Sequence, residues 1–200
     1  MSEAPAVPRL FPGQTIVVLG SGPSLCAEDV SAVCAKRLPI IAISNAVQLA
    51  PMADVVYCPD ARWWAWHQDV AASPAHKFSL QHTGFPSVIR LAPGHKTKIE
   101  TDPRYLSTGG HGGWQAINLA VHTAPARIVL LGYDFQPSAS GEHHFFGEHP
   151  DSSHVRYEQW IANYRTLPAQ LASLGITIVN ASRRTAITGS TASAKARILP

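Results

Sequence analysis

Two short apolar runs, each stopped by a glycine, limit the folds open to this chain more than any other feature. Residues 15–20 (TIVVLG) and 127–132 (RIVLLG) are rich in β-branched and aliphatic residues and lack polar alternation. Continuous runs of this kind are typical of buried strands in a parallel sheet, which is covered on both faces. The two runs therefore favour an α/β fold.

Further strand and helix patterns alternate along the chain. Four more runs predict strands: 39–43, 54–58, 87–91 and 176–179. Three segments with helical patterns predict helices: 25–36, 110–122 and 154–173. Pro168 is expected to kink or divide the last helix. This order predicts a Rossmann-like α/β fold, a doubly wound and mainly parallel sheet with helices on both faces.

Length and composition fit one domain. The chain has 200 residues, of which 46% are hydrophobic and 14% charged, so a disordered chain is excluded. We divide it into an irregular lead-in (1–14), a Rossmann-like domain (15–182) and a basic tail (183–200). No apolar run approaches the roughly 18 residues of a membrane helix, and the N-terminus shows no secretion signal. Three cysteines without paired spacing favour reduced thiols and a cytoplasmic location.

The net charge of +3 is unevenly placed. No acidic residue follows Glu158, so the last 42 residues carry +5 and the preceding 158 carry −2. Such a tail suggests contact with phosphate or another anion, and a solvated tail is the alternative. Basic residues this sparse are weak support for a nucleic-acid partner. The tryptophans at 63, 64 and 66 favour a core or a homo-oligomer interface over ligand stacking.

The first candidate site is the glycine turn after the first predicted strand. It consists of Gly20, Ser21, Gly22, Pro23 and Ser24. Glycine lets the backbone approach a ligand closely, and the helix that follows offers free amides to a phosphate. Ser24 is expected to cap that helix. The turn is neither a Walker loop nor a complete dinucleotide fingerprint, so a tight turn without a ligand is the alternative.

Other polar residues are expected at the same edge of the sheet, where ligands of such folds collect. Three of them end or follow predicted strands: Asn45, Asp60 and Asp134. Asp134 would orient a histidine, bind a ribose hydroxyl or bind a cation, with an Asx turn or a helix cap as the alternative. A second glycine-rich turn, Ser107-Thr108-Gly109, precedes a predicted helix and suits an anion; a flexible connection is its alternative.

A histidine-rich loop follows Asp134. It holds four of the ten histidines: His143, His144, His149 and His154. A histidine can take a proton from an attacking hydroxyl near neutral pH. With Glu142, Glu148 or Asp151, the same imidazoles would suit a metal, although the H-E-x-x-H spacing is absent. A solvated loop is the third interpretation.

Several of these motifs resemble, in order along most of the chain, a known superfamily. Residues 20–25 (GSGPSL) resemble the Gly-Asn/Ser-Gly-Pro-Ser-Leu opening of the bacterial lipooligosaccharide sialyltransferases. They equally resemble that of the related phage and prokaryotic proteins grouped with the archaeal 6-hydroxymethylpterin diphosphokinase-like family. Residues 131–135 (LGYDF) are similar to the family's Gly-Ile/Tyr-Asp-Phe strand end, and residues 144–147 (HFFG) to its His-Tyr-x-Gly segment.

The resemblance implies roles for individual residues. Asn45 would contact phosphate, residues 107–109 would touch the donor, and His144 would be the general base. Two departures concern the donor. Residues 136–141 contain no tyrosine to steady a departing phosphate, and Cys58 stands where the family has an asparagine. These departures argue against transfer of sialic acid from a CMP donor and leave another nucleotide-activated donor open.

Three functional hypotheses follow. The first is a nucleotide-dependent transferase, most simply a glycosyltransferase with a nucleotide-activated sugar donor, a small-molecule or glycan acceptor and no resident metal. His144, His143 and Asp134 would be catalytic and the two glycine turns would bind the nucleotide. The second is pyrophosphate transfer from ATP, with Asp60 and Asp134 as Mg²⁺ ligands. The third is a non-catalytic phage or prophage protein that binds a partner or a nucleotide.

Overall fold

The computed structural model describes residues 5–147 and 156–187. The strands in these ranges are β1 (Thr15–Leu19), β2 (Ile40–Ile43), β3 (Val55–Tyr57), β4 (His76–Ser79), β5 (Val88–Arg90), β6 (Ala92–Pro93), β7 (Tyr105–Leu106), β8 (Arg127–Leu131) and β9 (Thr177–Asn180). The α-helices are α1 (Ala27–Ala35), α2 (Ala61–Trp66), α3 (Gln68–Ala72), α4 (Gly112–His122), α5 (Tyr157–Tyr164) and α6 (Leu167–Ala172). None of these helices has the length and apolar character needed to cross a membrane.

Seven of the strands form one parallel sheet in the order β5-β4-β3-β2-β1-β8-β9. The predicted doubly wound, parallel α/β fold is therefore confirmed. β1 and β8 pair along their whole length, from Thr15 beside Arg127 to Leu19 beside Leu131. The chain adds strands on one side of β1 up to β5 and then crosses to β8 on the other side. In folds of this class, ligands bind at such a reversal, beyond the carboxyl ends of the strands, here β1 and β8.

Helices cover both faces of the sheet. Ile16 and Val18 of β1 belong to the hydrophobic core that includes residues of α4, α5 and α6. Val17 and Leu19, which point the other way, belong to the core that includes residues of α1, α2 and α3. Burial on both faces explains why β1 is apolar at successive positions.

Two predicted helices differ in their boundaries. The expectation that Ser24 caps the first helix is wrong, since α1 has Cys26 at its N-cap position and Ser24 bonds to Asp134 instead. The helix predicted over 154–173 is divided into α5 and α6, and Pro168 lies in the first turn of α6, where its missing N–H is tolerated. Residues 154 and 155 of that prediction lie outside the described residues.

β4 is a strand that the sequence pattern does not indicate. It lies between β3 and β5 in the sheet, yet Phe78 is its one strongly apolar residue. Lys77 of this strand is buried, and its ammonium donates to the backbone carbonyls of Ser73 and Ala75. Burial lowers the pKa of Lys77. Tertiary context, rather than strand propensity, makes this segment a strand.

The first part of the predicted basic tail packs against the domain. The Arg183 guanidinium donates to both carboxylate oxygens of Asp29, at 2.9 and 3.0 Å. The Ala186 amide donates to the Asp134 carbonyl at 2.7 Å, and Ile187 is buried. Residues 188–200, with the remaining two cations of the tail, lie outside the described residues.

Candidate functional site

The loops that follow β1 and β8 touch each other directly. The Gly20 amide donates to the Leu131 carbonyl and the Gly22 amide to the Gly132 carbonyl, each at 2.8 Å. A Cβ atom at Gly20 would lie 2.6 Å from the Gly132 oxygen, and one at Gly22 would lie 2.5 Å from Oδ1 of Asp134. Both glycines are therefore required by the neighbouring loop, whether or not a ligand also approaches them.

Asp134 holds the first glycine turn in place. Its Oδ2 accepts the Ser24 amide at 2.8 Å and its Oδ1 accepts the Ser24 hydroxyl at 2.9 Å. Asp134 is buried, and this burial raises the pKa of its carboxyl to about 6, against the lowering effect of the Ser24 bonds. The amides of Gly20, Gly22 and Ser24 thus all have partners within the protein. A phosphate at this turn would have to be held by other groups.

His144 reaches the glycine turn from the histidine-rich loop. Its Nδ1 lies 3.1 Å from the Ser21 hydroxyl, although the two residues are 123 positions apart. The Phe145 amide also donates to the Ser21 carbonyl at 3.1 Å, and the His144 ring stacks on Phe146 with 5.0 Å between ring centroids. The structure thus places His144 beside the glycine turn at the carboxyl end of β1.

The other histidines of the loop have different positions. His143 Nδ1 lies 2.9 Å from the Tyr157 hydroxyl, which ties the loop to the start of α5. His149 and His154, with the acidic residues Glu148 and Asp151 of the metal hypothesis, lie outside the described residues. Within residues 5–147 and 156–187, no group of three or more His, Cys, Asp or Glu side chains is arranged to hold a metal ion.

Asn45 lies at the carboxyl end of β2, next to β1 in the sheet. Its Oδ1 accepts the indole N–H of Trp63 at 2.7 Å. Because an indole N–H can only donate, this bond fixes the amide orientation and leaves the Nδ2 group as the donor that Asn45 can offer to a ligand. Trp63 is buried and stacks on His67, and this packing holds its indole N–H toward Asn45.

Both carboxylate oxygens of Asp60 bind groups of Arg62 in this structure. Its Oδ1 accepts the Arg62 amide at 2.9 Å, which caps α2, and its Oδ2 forms an ion pair with the Arg62 guanidinium at 2.8 Å. The expected ligand role therefore competes with a helix cap and an ion pair.

Ser107 is fully buried, which removes it from any ligand surface in this structure. Its hydroxyl accepts the Trp114 indole N–H at 2.7 Å, and its amide donates to Oδ1 of Asn118 at 2.8 Å. Its hydroxyl and its amide both bind α4, which gives Ser107 a supporting role in this structure, and its contact with a nucleotide stays a prediction.

Thr108 and Gly109 do reach a cavity. It measures about 470 Å³ and lies between their turn, the segment at 96–97 and one face of α5. Its lining also includes Lys96, Arg156 and Trp160. Sequence reasoning missed these three residues because no motif contains them. The sequence offers one indication of this wall: positions 156, 160 and 163 are spaced so that they share a face of the helix predicted over 154–173.

His111 packs against Trp160, one of the residues that line this cavity. Its Nδ1 accepts the Gly113 amide at 3.1 Å and caps α4, and its Nε2 is buried without a hydrogen-bond partner among the described residues. Burial lowers the pKa of His111 to about 3, so the ring is neutral at physiological pH. The ring packs on Trp160, with 4.6 Å between centroids, and thereby positions that indole.

Comparisons of the chain with protein-family models, with curated proteins and with solved structures find no match in any of the three.

Proposed function

We propose that the protein is a nucleotide-dependent transferase, most simply a glycosyltransferase, with its donor at the carboxyl ends of β1 and its two neighbours β2 and β8, and with His144 as general base. One observation carries the proposal. His144, on a loop after β8, lies against Ser21 of the glycine turn after β1. This is the edge and the topological reversal at which folds of this class bind ligands.

The proposed donor contacts are side chains, because the amides of Gly20, Gly22 and Ser24 are bonded within the protein. Nδ2 of Asn45 and the hydroxyls of Ser21 and Thr108 would hold the donor phosphates and sugar. The turn itself (residues 20–24) would be shaped by Asp134, which acts as a positioning residue. The resemblance of residues 20–25 and 144–147 to the sialyltransferase superfamily supports the same assignment.

The base requires one tautomer of His144. In the tautomer whose proton is on Nδ1, that N–H donates to the Ser21 hydroxyl, and the basic lone pair is on Nε2, the atom that would take the proton of the acceptor hydroxyl. The acceptor oxygen then bonds to the anomeric carbon as the bond from that carbon to the donor phosphate breaks, and the nucleotide departs with the electron pair. General base catalysis of this kind contributes about 10²–10⁴-fold to the rate.

The test combines binding and turnover. Thermal shift with CMP, UDP, GDP, ATP and CMP-linked sugars, with and without divalent cations, identifies the nucleotide. We expect His144→Ala to keep that shift and to lose turnover by about 100-fold or more. His82→Ala, at an exposed histidine, is the matched control and should retain full turnover. Unchanged turnover in His144→Ala would remove the base and with it the proposal.

A non-catalytic binding protein is the second candidate, and one observation favours it. The amides of Gly20, Gly22 and Ser24 are all used within the protein, which is what a turn without a ligand would show. If such a protein binds a partner rather than a nucleotide, none of the nucleotides should raise the melting temperature. No comparable observation favours Mg²⁺-dependent pyrophosphate transfer, because Asp60 caps α2 and Asp134 binds Ser24. That hypothesis requires activity to disappear on addition of EDTA.

A further inference from the structure

The cavity of about 470 Å³ beside Thr108 is lined by cationic, amide and aromatic side chains. Lys96 lies on one wall, and Arg156, which directly precedes α5, lies on another. Both are exposed, and none of the described residues that line the cavity is a carboxylate. Two cations on separate walls match the two charges of a phosphate monoester, and a guanidinium can bind such a group through two parallel hydrogen bonds.

The remaining lining suits a hydroxylated ring. Gln159 and Asn163 present amides from the same side of α5 as Trp160. The Trp160 indole is half-buried and is held between His111, at 4.6 Å, and Tyr157, at 5.9 Å between centroids. An aromatic face flanked by a few fixed polar groups is the usual composition of a small-molecule site.

The walls of the cavity are held together before any ligand binds. The Gly109 amide donates to the Lys96 carbonyl at 2.8 Å, and Nδ2 of Asn163 donates to the Gly109 carbonyl at 3.4 Å. Behind them, Gln170 of α6 bonds to the Ile99 amide and the Thr97 carbonyl, at 2.8 and 3.1 Å. A site assembled in advance binds with less loss of conformational entropy.

The cavity is linked to the proposed base through α5. Tyr157 follows Arg156 directly, and its hydroxyl lies 2.9 Å from Nδ1 of His143, the neighbour of His144. We propose that this cavity binds a phosphorylated sugar, the acceptor of the transferase, so the acceptor role rests on the proposed function whereas the binding site does not. Lys96 and Arg156 bind the phosphate, and Trp160, Gln159 and Asn163 bind the sugar ring.

Calorimetric titration of the full chain tests the ligand class. The probes are glucose 6-phosphate, glucose, glucuronate and inorganic phosphate. We expect glucose 6-phosphate to bind more tightly than each of the other three by about tenfold or more, because each lacks the sugar, the phosphate or the second charge. Equal binding of inorganic phosphate or glucuronate, or no binding of glucose 6-phosphate, would overturn the proposal.

Variants test the location. Lys96→Gln and Arg156→Gln should each weaken glucose 6-phosphate binding by about tenfold, the usual loss for a charge-assisted hydrogen bond. Lys98→Gln is the matched control, since Lys98 is an exposed lysine two residues away that is not among the lining residues. Equal weakening by all three variants would indicate general surface attraction, and no weakening by the first two would place the ligand elsewhere; either result rejects this site. His144→Ala should keep glucose 6-phosphate binding intact, so failure of the proposed base and failure of this site give different results.

Discussion

Ser24 gives both its amide and its hydroxyl to Asp134, at 2.8 and 2.9 Å, across 110 positions of sequence. This pair joins the loop after β1 to the loop after β8, the two strands between which the sheet reverses its order. The carboxylate lies where a bound phosphate would otherwise be expected to meet the Ser24 amide. Asp134 therefore holds the two loops together, and its substitution should change both the stability of the protein and the pH dependence of that stability.

Asp134→Ala should destabilise the protein by about 1–3 kcal/mol at pH 5, because the Ser24 amide loses its acceptor in a partly buried position. Asp134→Asn should cost less than about 1 kcal/mol, since an amide can accept from the Ser24 N–H and donate to the Ser24 hydroxyl. The free energy of unfolding in urea measures both. Equal losses in the two variants would show that these hydrogen bonds do not support the turn.

The pH dependence of the free energy of unfolding should show the effect of the charge on Asp134. Its pKa is raised from 3.8 to about 6 in the folded protein, so the native state binds this proton more tightly than the unfolded state does. The contribution of Asp134 to stability is therefore full below pH 4 and falls as the pH rises to about 6, by up to about 3 kcal/mol. Asp134→Asn lacks this titration. Its stability should improve relative to the unsubstituted protein between pH 4 and 6.5, and a constant difference across that range would contradict the raised pKa.

The architecture could be predicted from the sequence because its signal is repeated in four neighbouring strands, β3, β2, β1 and β8. β1 and β8 are apolar at successive positions, which a strand buried on both faces requires. β4 could not be predicted, since its residues become a strand only through pairing with β3 and β5. The glycines at 20 and 22 fit either a ligand or a tight turn in the sequence, because a pattern of glycines indicates a close approach and does not identify the group that approaches. In the structure the loop after β8 approaches them.

The candidate site was predictable only where a motif marked it. His144 and Ser21, which the transferase hypothesis assigns to one site, lie together. Ser107 belongs to the same kind of polar turn, yet burial against Trp114 removes it from the surface, and burial of a single serine leaves no trace in the sequence. Lys96 and Arg156 come together through loop packing between distant segments, which local pattern does not encode.

Gly109, in the second glycine turn, has no space for a side chain. Its φ is +53°, and a Cβ atom there would lie 1.9 Å from Cγ of the buried Trp114. Gly109→Ala should cost about 1 kcal/mol for the left-handed backbone and about 1–3 kcal/mol more for the clash. Gly84→Ala is the control, because Gly84 has a φ of +80° with no atom within 4 Å of a Cβ. Urea denaturation should show the larger loss at Gly109, and equal losses would mean that Trp114 moves aside without cost.

Asn45→Asp separates nucleotide binding from folding. An aspartate keeps an oxygen for the Trp63 indole N–H, so the melting temperature of the ligand-free variant should change by no more than a few degrees. It replaces the Nδ2 donor by a negative oxygen facing the proposed donor phosphates, which should weaken nucleotide binding by about tenfold or more. Gln68→Glu, at an exposed position of α3, makes the same change in charge and should leave the affinity unaltered. Titration of the nucleotide identified by thermal shift measures all three proteins. If Asn45→Asp binds that nucleotide as tightly as the unsubstituted chain does, the phosphates do not lie at the end of β2.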